Sequence, residues 1–231
     1  MTETDSNQMA DEAVQRLRRL DCCAVSDALD QLGLQGQVTG VPKRSGQASR
    51  IAGRVITLKL HDGPRAEGPL RHLGTSAVEL SGPENVIVVE QRTGKDAGCW
   101  GGLLTLGAKL RGAAGVVADG PVRDIDEARD YDFPVFSTAL TARTARGRVV
   151  EAATNEPITP WGVPVAANDY VIADASAVIF IQAPQVEAVL DAAEAIAFKE
   201  AVMAKALLSG TPISAVMSGD YENMLDGGAG K

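Results

Sequence analysis

The 231-residue chain has few cysteines and histidines, and its basic residues are fewer than its acidic ones. It contains two histidines and three cysteines, of which Cys22 and Cys23 are adjacent, so neither a disulfide framework nor a zinc-ligand spacing is present. Acidic residues outnumber basic residues by 30 to 22, which gives a net charge of −8. Because phosphate backbones are bound by basic surfaces, this charge argues against nucleic acid as a direct partner.

Long hydrophobic runs are absent as well. No apolar stretch approaches the roughly 20 residues required to cross a membrane. Residues 1–9 are polar and acidic, whereas a signal peptide begins with a basic and then an apolar region. We therefore expect a cytoplasmic protein with no membrane partner. The content of 45% hydrophobic and 23% charged residues is that of an ordinary globular protein with a substantial core.

The hydrophobic pattern predicts an α/β fold in one domain. Between residues 86 and 136 strands and helices alternate, which is typical of parallel pairing, and residues 149–181 form short β-runs that predict an antiparallel or mixed portion. No linker or repeat interrupts residues 10–218, and the ends at 1–9 and 219–231 are predicted to be flexible. The predicted strands are 51–60, 86–90, 116–119 and 134–136. The predicted helices are 11–20, 26–33 (with Ser26 as N-cap), 101–111, 123–131 and 184–210.

One segment carries most of the functional information. Gly101 and Gly102 open a predicted helix, so their backbone N–H groups face whatever lies in front of the helix. The strand Gly115–Asp119 then delivers Arg123 and Asp124 just past its carboxyl end, which is where open α/β sheets bind ligands. A cation, a carboxylate and an anion-receptive helix end in one short stretch indicate a small carboxylated substrate, held on a divalent metal ion.

Simpler roles for the same residues remain open at this point. Asp124 and Glu127 have the spacing of a helix capping box, and by spacing alone we favour capping by about three to one. The less favoured alternative uses the same geometry: because residues i and i+3 share a helix face, the pair could hold a hard divalent cation. Arg123 is either a salt-bridge partner or a donor to the developing charge of an enolate. Cys99 has no partner histidine, and we interpret it as a small buried residue.

The last predicted helix carries a carboxylate on its apolar face. On a helical wheel Glu200 falls near the middle of a face formed by Val189, Leu190, Ala193, Ile196, Ala197, Ala204 and Leu207. A carboxylate there is costly to bury unless a cation meets it. From the wheel alone we favour, by about two to one, a side chain lying along the edge of the core or paired with an arginine over a metal or catalytic role.

These motifs resemble those of the RraA-like family, which includes the regulator of ribonuclease E and the class II 4-hydroxy-4-methyl-2-oxoglutarate/4-carboxy-4-hydroxy-2-oxoadipate aldolases. The resemblance covers roughly residues 20–216, and its most specific part is Gly102, Arg123-Asp124 and Glu127 at this spacing. It implies a three-layer α/β/α swivelling-domain fold with a mixed sheet. It also implies a homotrimer or hexamer with the site at the subunit interface. The supporting stretches are Val25–Leu29, Ala52–Val55, Gly112–Val117, Phe133–Phe136 and Asp169–Asp174.

The resemblance implies a role for each site residue. Asp124 would ligate Mg²⁺ or Mn²⁺, and Glu127 would be the compensating acid where the family's aldolases tend to carry an aspartate at position 102. Arg123 would stabilise a pyruvate enolate. Glu200 would reach the outer shell of the metal from a neighbouring subunit. The pyruvyl carboxylate would be held by the backbone amides of Gly101, Gly102, Leu103 and Leu104.

The sequence therefore predicts a divalent-metal-dependent carbon–carbon lyase that acts on 2-oxo acids through a pyruvate enolate. Oxaloacetate decarboxylation and 4-hydroxy-4-methyl-2-oxoglutarate-type aldol cleavage both remain open, because Gly102 with Glu127 is the pattern of the regulator-like branch, some of whose members are reported to decarboxylate oxaloacetate. Asn168 also replaces the family's usual glycine before Asp169. The alternative from a different class is a non-catalytic protein-binding regulator of the ribonuclease E type, with which the acidic charge is compatible.

Overall fold

The computed structural model describes residues 11–63 and 72–217. Its helices are α1 (Glu12–Leu17), α2 (Cys22–Gln31), α3 (Thr75–Leu80), α4 (Gly102–Leu110), α5 (Ile125–Asp130), α6 (Val186–Leu208) and α7 (Ile213–Val216). Its strands are β1 (Gln37–Val38), β2 (Lys43–Ser45), β3 (Ile51–His61), β4 (Asn85–Gln91), β5 (Gly115–Val122), β6 (Val135–Leu140), β7 (Val150–Thr154), β8 (Tyr170–Ala173) and β9 (Val178–Ile181). Two short 3₁₀ turns lie at Pro160–Gly162 and Ala183–Gln185.

All nine of these strands belong to one mixed sheet, in the order β1-β9-β8-β3-β4-β5-β6-β2, with β7 paired to β3 off this path. The neighbours β3, β4, β5 and β6 are parallel, and helices connect β4 to β5 and β5 to β6. Strands β1, β2, β7, β8 and β9 pair antiparallel. The predicted parallel portion at residues 86–136 and the predicted antiparallel portion at 149–181 are both confirmed.

The sheet is strongly curled, and its two edge strands show why. Only Thr39–Pro42 separates β1 from β2, although these strands lie at opposite ends of the eight-strand order. Four connecting residues can span at most about 18 Å between Val38 and Lys43. A flat sheet of eight strands would hold its edges about 34 Å apart. The sheet must therefore bend until its edges approach each other.

The curl defines the layers of the protein. Alternate residues of a strand point to opposite faces, and one set fills the inside of the curl while α1 to α6 bury their apolar residues against the other set, on the outside. The predicted α/β class and mixed sheet are confirmed. The curled sheet covers its own inner face, helped by residues 158–165, and no α-helix of the described residues contributes to that inner cluster. The inner cluster includes Val38, Val55, Val88, Val117, Phe136, Val171 and Phe180.

Three local expectations need correction or completion. Helix α2 is capped by Asp21, which accepts a hydrogen bond from the Ala24 amide at 2.9 Å, and Ser26 lies inside the helix. Helix α3 was not predicted. Both predicted flexible ends lie outside the described residues, as does part of the turn-rich segment after Gly63. In residues 11–63 and 72–217, no helix combines the length and apolarity that spanning a membrane requires.

Candidate active site at the start of helix α4

The glycine-rich segment before α4 is fastened to the carboxyl end of β5. Trp100 forms a parallel bridge with Val122, and the Arg123 amide donates to the Trp100 carbonyl at 3.0 Å. Within the segment, Trp100 Nε1 donates to Thr105 Oγ1 at 2.9 Å, and Thr105 Oγ1 donates to the Gly101 carbonyl at 3.0 Å. The first turn of α4 and the residues after β5 are therefore held together as one rigid corner.

The Asp124 side chain binds the start of α4 and not its own helix, α5. It lies in the left-handed region, with φ 57° and ψ 39°, which aspartate tolerates better than most residues. Its side chain makes no capping bond to α5. Instead Oδ2 accepts a hydrogen bond from the Gly102 amide at 3.0 Å, and both carboxylate oxygens lie 3.1 Å from Arg123 Nε. The capping interpretation favoured by spacing is therefore wrong for Asp124.

Glu127 occupies the space beside Gly102. A Cβ atom built on Gly102 would lie 1.9 Å from Glu127 Oε2 and 3.3 Å from the Asp124 Cβ. Any side chain at position 102 would displace the Glu127 carboxylate, so glycine at 102 and glutamate at 127 depend on each other. Two carboxylates therefore face the first turn of α4, where the helix dipole favours negative charge.

The Arg123 side chain passes between two glycines. A Cβ atom on Gly98 would approach Arg123 Cγ and Cδ to 3.0 Å, and one on Gly101 would approach Arg123 Cγ to 3.3 Å and Asp124 Oδ2 to 2.9 Å. The side chain is 35% exposed, so its guanidinium is fixed along its stem and still accessible to a ligand. Gly98 was not singled out from the sequence, although it lies three residues before the Gly101-Gly102 pair.

The backbone amides at the start of α4 divide into two groups. The Gly102 amide is bound to Asp124. Those of Gly101, Leu103 and Leu104 have no acceptor within the described chain, so they are free to bind an anion such as a carboxylate. The Leu103 side chain is 85% exposed and projects beside these amides, whereas Leu104 is buried in the core. Three of the four amides assigned to the substrate from the sequence are thus available.

Comparison with known proteins identifies the family. The model of the RraA-like family, described as Aldolase/RraA, matches residues 22–180. The chain belongs to the RraA-like family. The match includes every candidate site residue except Glu200, which lies beyond its end.

Individual RraA-like relatives resemble the chain at modest identity. Protein DlpA of Legionella pneumophila is 28% identical over 87% of this chain, which spans about a third (32%) of DlpA. The 4-hydroxy-4-methyl-2-oxoglutarate aldolase of Thermus thermophilus is 28% identical over 62% of this chain and 82% of its own length. Streptomyces coelicolor RraAS2, described as an unusual member of the RNase ES inhibitor RraA family, has the same fold, with a TM-score of 0.70 and 23% identity over 87% of this chain and 98% of its own.

Glu200 of this RraA-like chain lies on α6, whereas Asp124 precedes α5 and contacts the start of α4. Helix α6 packs on α1 and α2, and only its first half, through Ile196, is buried. Burial and the neighbouring carboxylates of Asp21 and Asp27 raise the pKa of Glu200. No arginine or lysine of the described residues pairs with it. The apolar residues around Glu200 share one face of α6, and only the part of that face through Ile196 is buried in a single chain, because the second half of α6 extends beyond the core.

The acidic residues of the site can supply part of the coordination shell of a divalent cation. Asp124 and Glu127 converge on the same turn of α4. Across residues 11–63 and 72–217, no group of three Asp, Glu, His or Cys side chains could hold a metal ion. Mg²⁺ commonly binds through one or two carboxylates and completes its shell with water and substrate oxygens, so this pair fits such an ion. Cys99 is fully buried, which raises the pKa of its thiol to about 12 and agrees with a packing role.

Proposed function

We propose that this protein is a divalent-metal-dependent lyase that cleaves a carbon–carbon bond in 2-oxo acids and forms the enolate of pyruvate. The observation that carries the proposal is the arrangement around α4, where the Arg123 guanidinium, the Asp124 carboxylate and free backbone amides meet at one helix end. Relatives of the RraA-like family named as aldolases support the lyase class.

Each group in this corner has a task that follows from its position. The amides of Leu103 and Leu104 bind the carboxylate beside the 2-oxo group. Asp124 holds Arg123 through its Nε atom, which leaves the other donors of the guanidinium for the oxygen that gains charge in the enolate. Bound Mg²⁺ or Mn²⁺, held by Asp124 and Glu127, would supply Lewis-acid polarisation of the 2-oxo group.

The reaction breaks the bond between C3 and C4 of the substrate. The electron pair of that bond passes to C3 and is delocalised onto the 2-oxo oxygen, which Arg123 stabilises. C4 leaves either as carbon dioxide or, once its hydroxyl has lost its proton to a base, as a carbonyl compound, and C3 later takes a proton from water to give pyruvate. Arg123 acts mainly after bond cleavage has begun, because the bound 2-oxo acid does not yet carry this charge.

A complete site also needs residues from a second subunit. Glu200 is partly exposed, lacks a cationic partner in the described part of its own chain and lies on the projecting half of α6. We propose that it reaches the metal's outer shell in a neighbouring subunit of a homotrimer or hexamer. In this arrangement the exposed apolar residues on the same face of α6, such as Ala204 and Leu207, become interface residues.

The test measures pyruvate release from oxaloacetate and from 4-hydroxy-4-methyl-2-oxoglutarate with Mg²⁺, Mn²⁺ or excess EDTA. Metal ions alone decarboxylate oxaloacetate slowly, so each rate is corrected with a protein-free blank. We expect metal-dependent turnover that Asp124→Ala abolishes and that Asp126→Ala retains, because Asp126 is exposed and pairs with Arg129 on the outer side of α5. Full turnover in EDTA would refute the metal role. No turnover of either substrate would leave the non-catalytic regulator as the better explanation.

A further inference from the structure

An arginine-bearing loop, Thr141–Arg148, adjoins the Arg123 side chain. The Thr141 amide donates to the Val122 carbonyl at 2.9 Å, and the Gly98 amide donates to the Arg143 carbonyl at 2.9 Å. A Cβ atom on Gly98 would lie 3.2 Å from that carbonyl oxygen and 3.0 Å from Arg123 Cδ. The backbone of Arg143 and the side chain of Arg123 therefore contact the same glycine.

The Arg143 guanidinium is held by one ion pair and keeps hydrogen-bond donors for a ligand. Its Nε atom lies 3.1 Å from Asp96 Oδ2, two residues before Gly98, and its side chain is 63% exposed. In the described chain no residue accepts a hydrogen bond from its two terminal nitrogens. The Arg143 amide donates to Thr141 Oγ1 at 3.0 Å, which fixes the loop at this point. An exposed ion pair of this kind contributes little to stability, so folding does not explain the position of Arg143.

We infer that Arg143 binds the carboxylate at the end of the substrate farthest from its 2-oxo group. This inference rests on the proposed function, because it places the 2-oxo end of the substrate between Arg123 and the start of α4. A guanidinium with two free terminal nitrogens matches a carboxylate in a bidentate geometry. Both candidate substrates of the proposed function carry such a second carboxylate.

The position of Arg143 has opposite consequences for the two candidate reactions. In aldol cleavage the C4 hydroxyl loses its proton to a base, the C3–C4 electron pair enters the enolate, and the distal carboxylate leaves still charged. A cation on that carboxylate stabilises the bound substrate and the transition state equally. In oxaloacetate decarboxylation the same carboxylate leaves as neutral carbon dioxide. A cation there stabilises the substrate more than the transition state and lowers kcat.

The experiment compares Arg143→Gln with Arg146→Gln. The control removes the same charge from the same loop, at a residue that is not the one bound to the Gly98 amide. The substrates are 4-hydroxy-4-methyl-2-oxoglutarate, 4-hydroxy-2-oxopentanoate (which lacks the distal carboxylate) and oxaloacetate. We expect Arg143→Gln to lower the kcat/KM ratio of the first substrate over the second by about 10-fold, through KM. For oxaloacetate KM should rise while kcat stays equal or increases. Arg143→Lys should fall between the wild type and Arg143→Gln.

A binding measurement makes the test independent of turnover. Calorimetry with Mg²⁺ compares 2-oxoglutarate with 2-oxopentanoate, which differ in the distal carboxylate, and Arg143→Gln should weaken only the former. The role of Arg143 would be overturned if Arg143→Gln lowered kcat/KM equally for the two aldol substrates, or lowered the affinity equally for 2-oxoglutarate and 2-oxopentanoate. The same losses in Arg146→Gln would also overturn it. A wild type that binds 2-oxoglutarate selectively but turns over none of the three substrates would refute the proposed lyase and leave the Arg143 site standing.

Discussion

Replacement of Gly102 by alanine should weaken metal binding without weakening the fold. The new methyl group would lie 1.9 Å from Glu127 Oε2, so this carboxylate must retreat by about 1.5 Å to reach an ordinary contact. Glu127 is exposed and its side chain is flexible, and alanine favours a helix over glycine by up to about 1 kcal/mol. We therefore expect the melting temperature to change by no more than about 4 °C.

The metal affinity should fall by about 10- to 100-fold, the scale of losing one supporting group at a metal site. Calorimetric titration with Mn²⁺ measures this effect, and calorimetric melting measures the stability. The control is Glu127→Ala, alone and combined with Gly102→Ala. Because Glu127→Ala has already removed the displaced carboxylate, the second substitution should add nothing to it. Equal effects of Gly102→Ala in both backgrounds would refute the steric reasoning.

The same geometry predicts a rescue. Gly102→Asp combined with Glu127→Ala moves a carboxylate from the α5 helix to the α4 helix and keeps it over the same turn. We expect this double variant to bind Mn²⁺ more tightly than Glu127→Ala alone. Gly102→Asp without the second change would place two carboxylates in one space and should bind less well than the double variant. A double variant no better than Glu127→Ala would show that this position of the charge does not matter.

Three further predictions concern single contacts. Arg123→Lys loses the planar fork, so kcat should fall by about 10²-fold with a much smaller change in KM; a rise in KM alone would show that Arg123 only binds substrate. Arg123→Ala and Glu200→Ala, refolded together, should recover up to about a quarter of wild-type activity if each site joins two subunits, and nothing if Glu200 serves its own chain. Burial would raise the pKa of Asp174, but amide hydrogen bonds from Cys22 and Ser176 at 2.9 and 2.7 Å hold it below its ordinary 3.8. That stabilisation is complete at pH values above the pKa of Asp174 in the unfolded chain. It is lost as the pH falls through the lower pKa of Asp174 in the folded protein. The difference in urea unfolding free energy between wild type and Asp174→Asn should therefore shrink from pH 7 to pH 3.

The sequence predicted the elements whose pattern is long and regular. Strands β4 to β6 are rich in apolar residues and alternate with helices, so their type and parallel pairing follow from the pattern alone. Strand β3 was predicted as a strand, but its partners were not predicted. Helix α3 has six residues, begins after Gly74 in a left-handed conformation, and is too short to show a helical period. Strands β1 and β2 have two and three residues, so their pairing is set by the closure of the sheet and not by their own sequence.

The roles of the candidate site residues could not be predicted from sequence spacing, for a different reason. Spacing alone could not separate capping from a functional role for Asp124, because the deciding partner, the Gly102 amide, is distant in sequence and adjacent only in the fold. For Glu200 the helical wheel identified the apolar face of α6, but burial of that face ends at Ile196. A wheel describes which residues share a face and gives no information about what covers it. Arg143 was missed because its position depends on a backbone contact with Gly98.

Closure of the curled sheet also constrains the order in which a nascent chain can fold. Strand β1 pairs with β9, about 140 residues later, whereas the linked strand β2 pairs with β6. At ribosomal speeds of about 5–20 residues per second, β1 waits roughly 7–30 s for its partner. During that interval the free edge of the parallel strands is open to other chains. Because β1 and β2 are so short, their pairing contributes little until both ends are present, and closing the sheet should be a late step of folding.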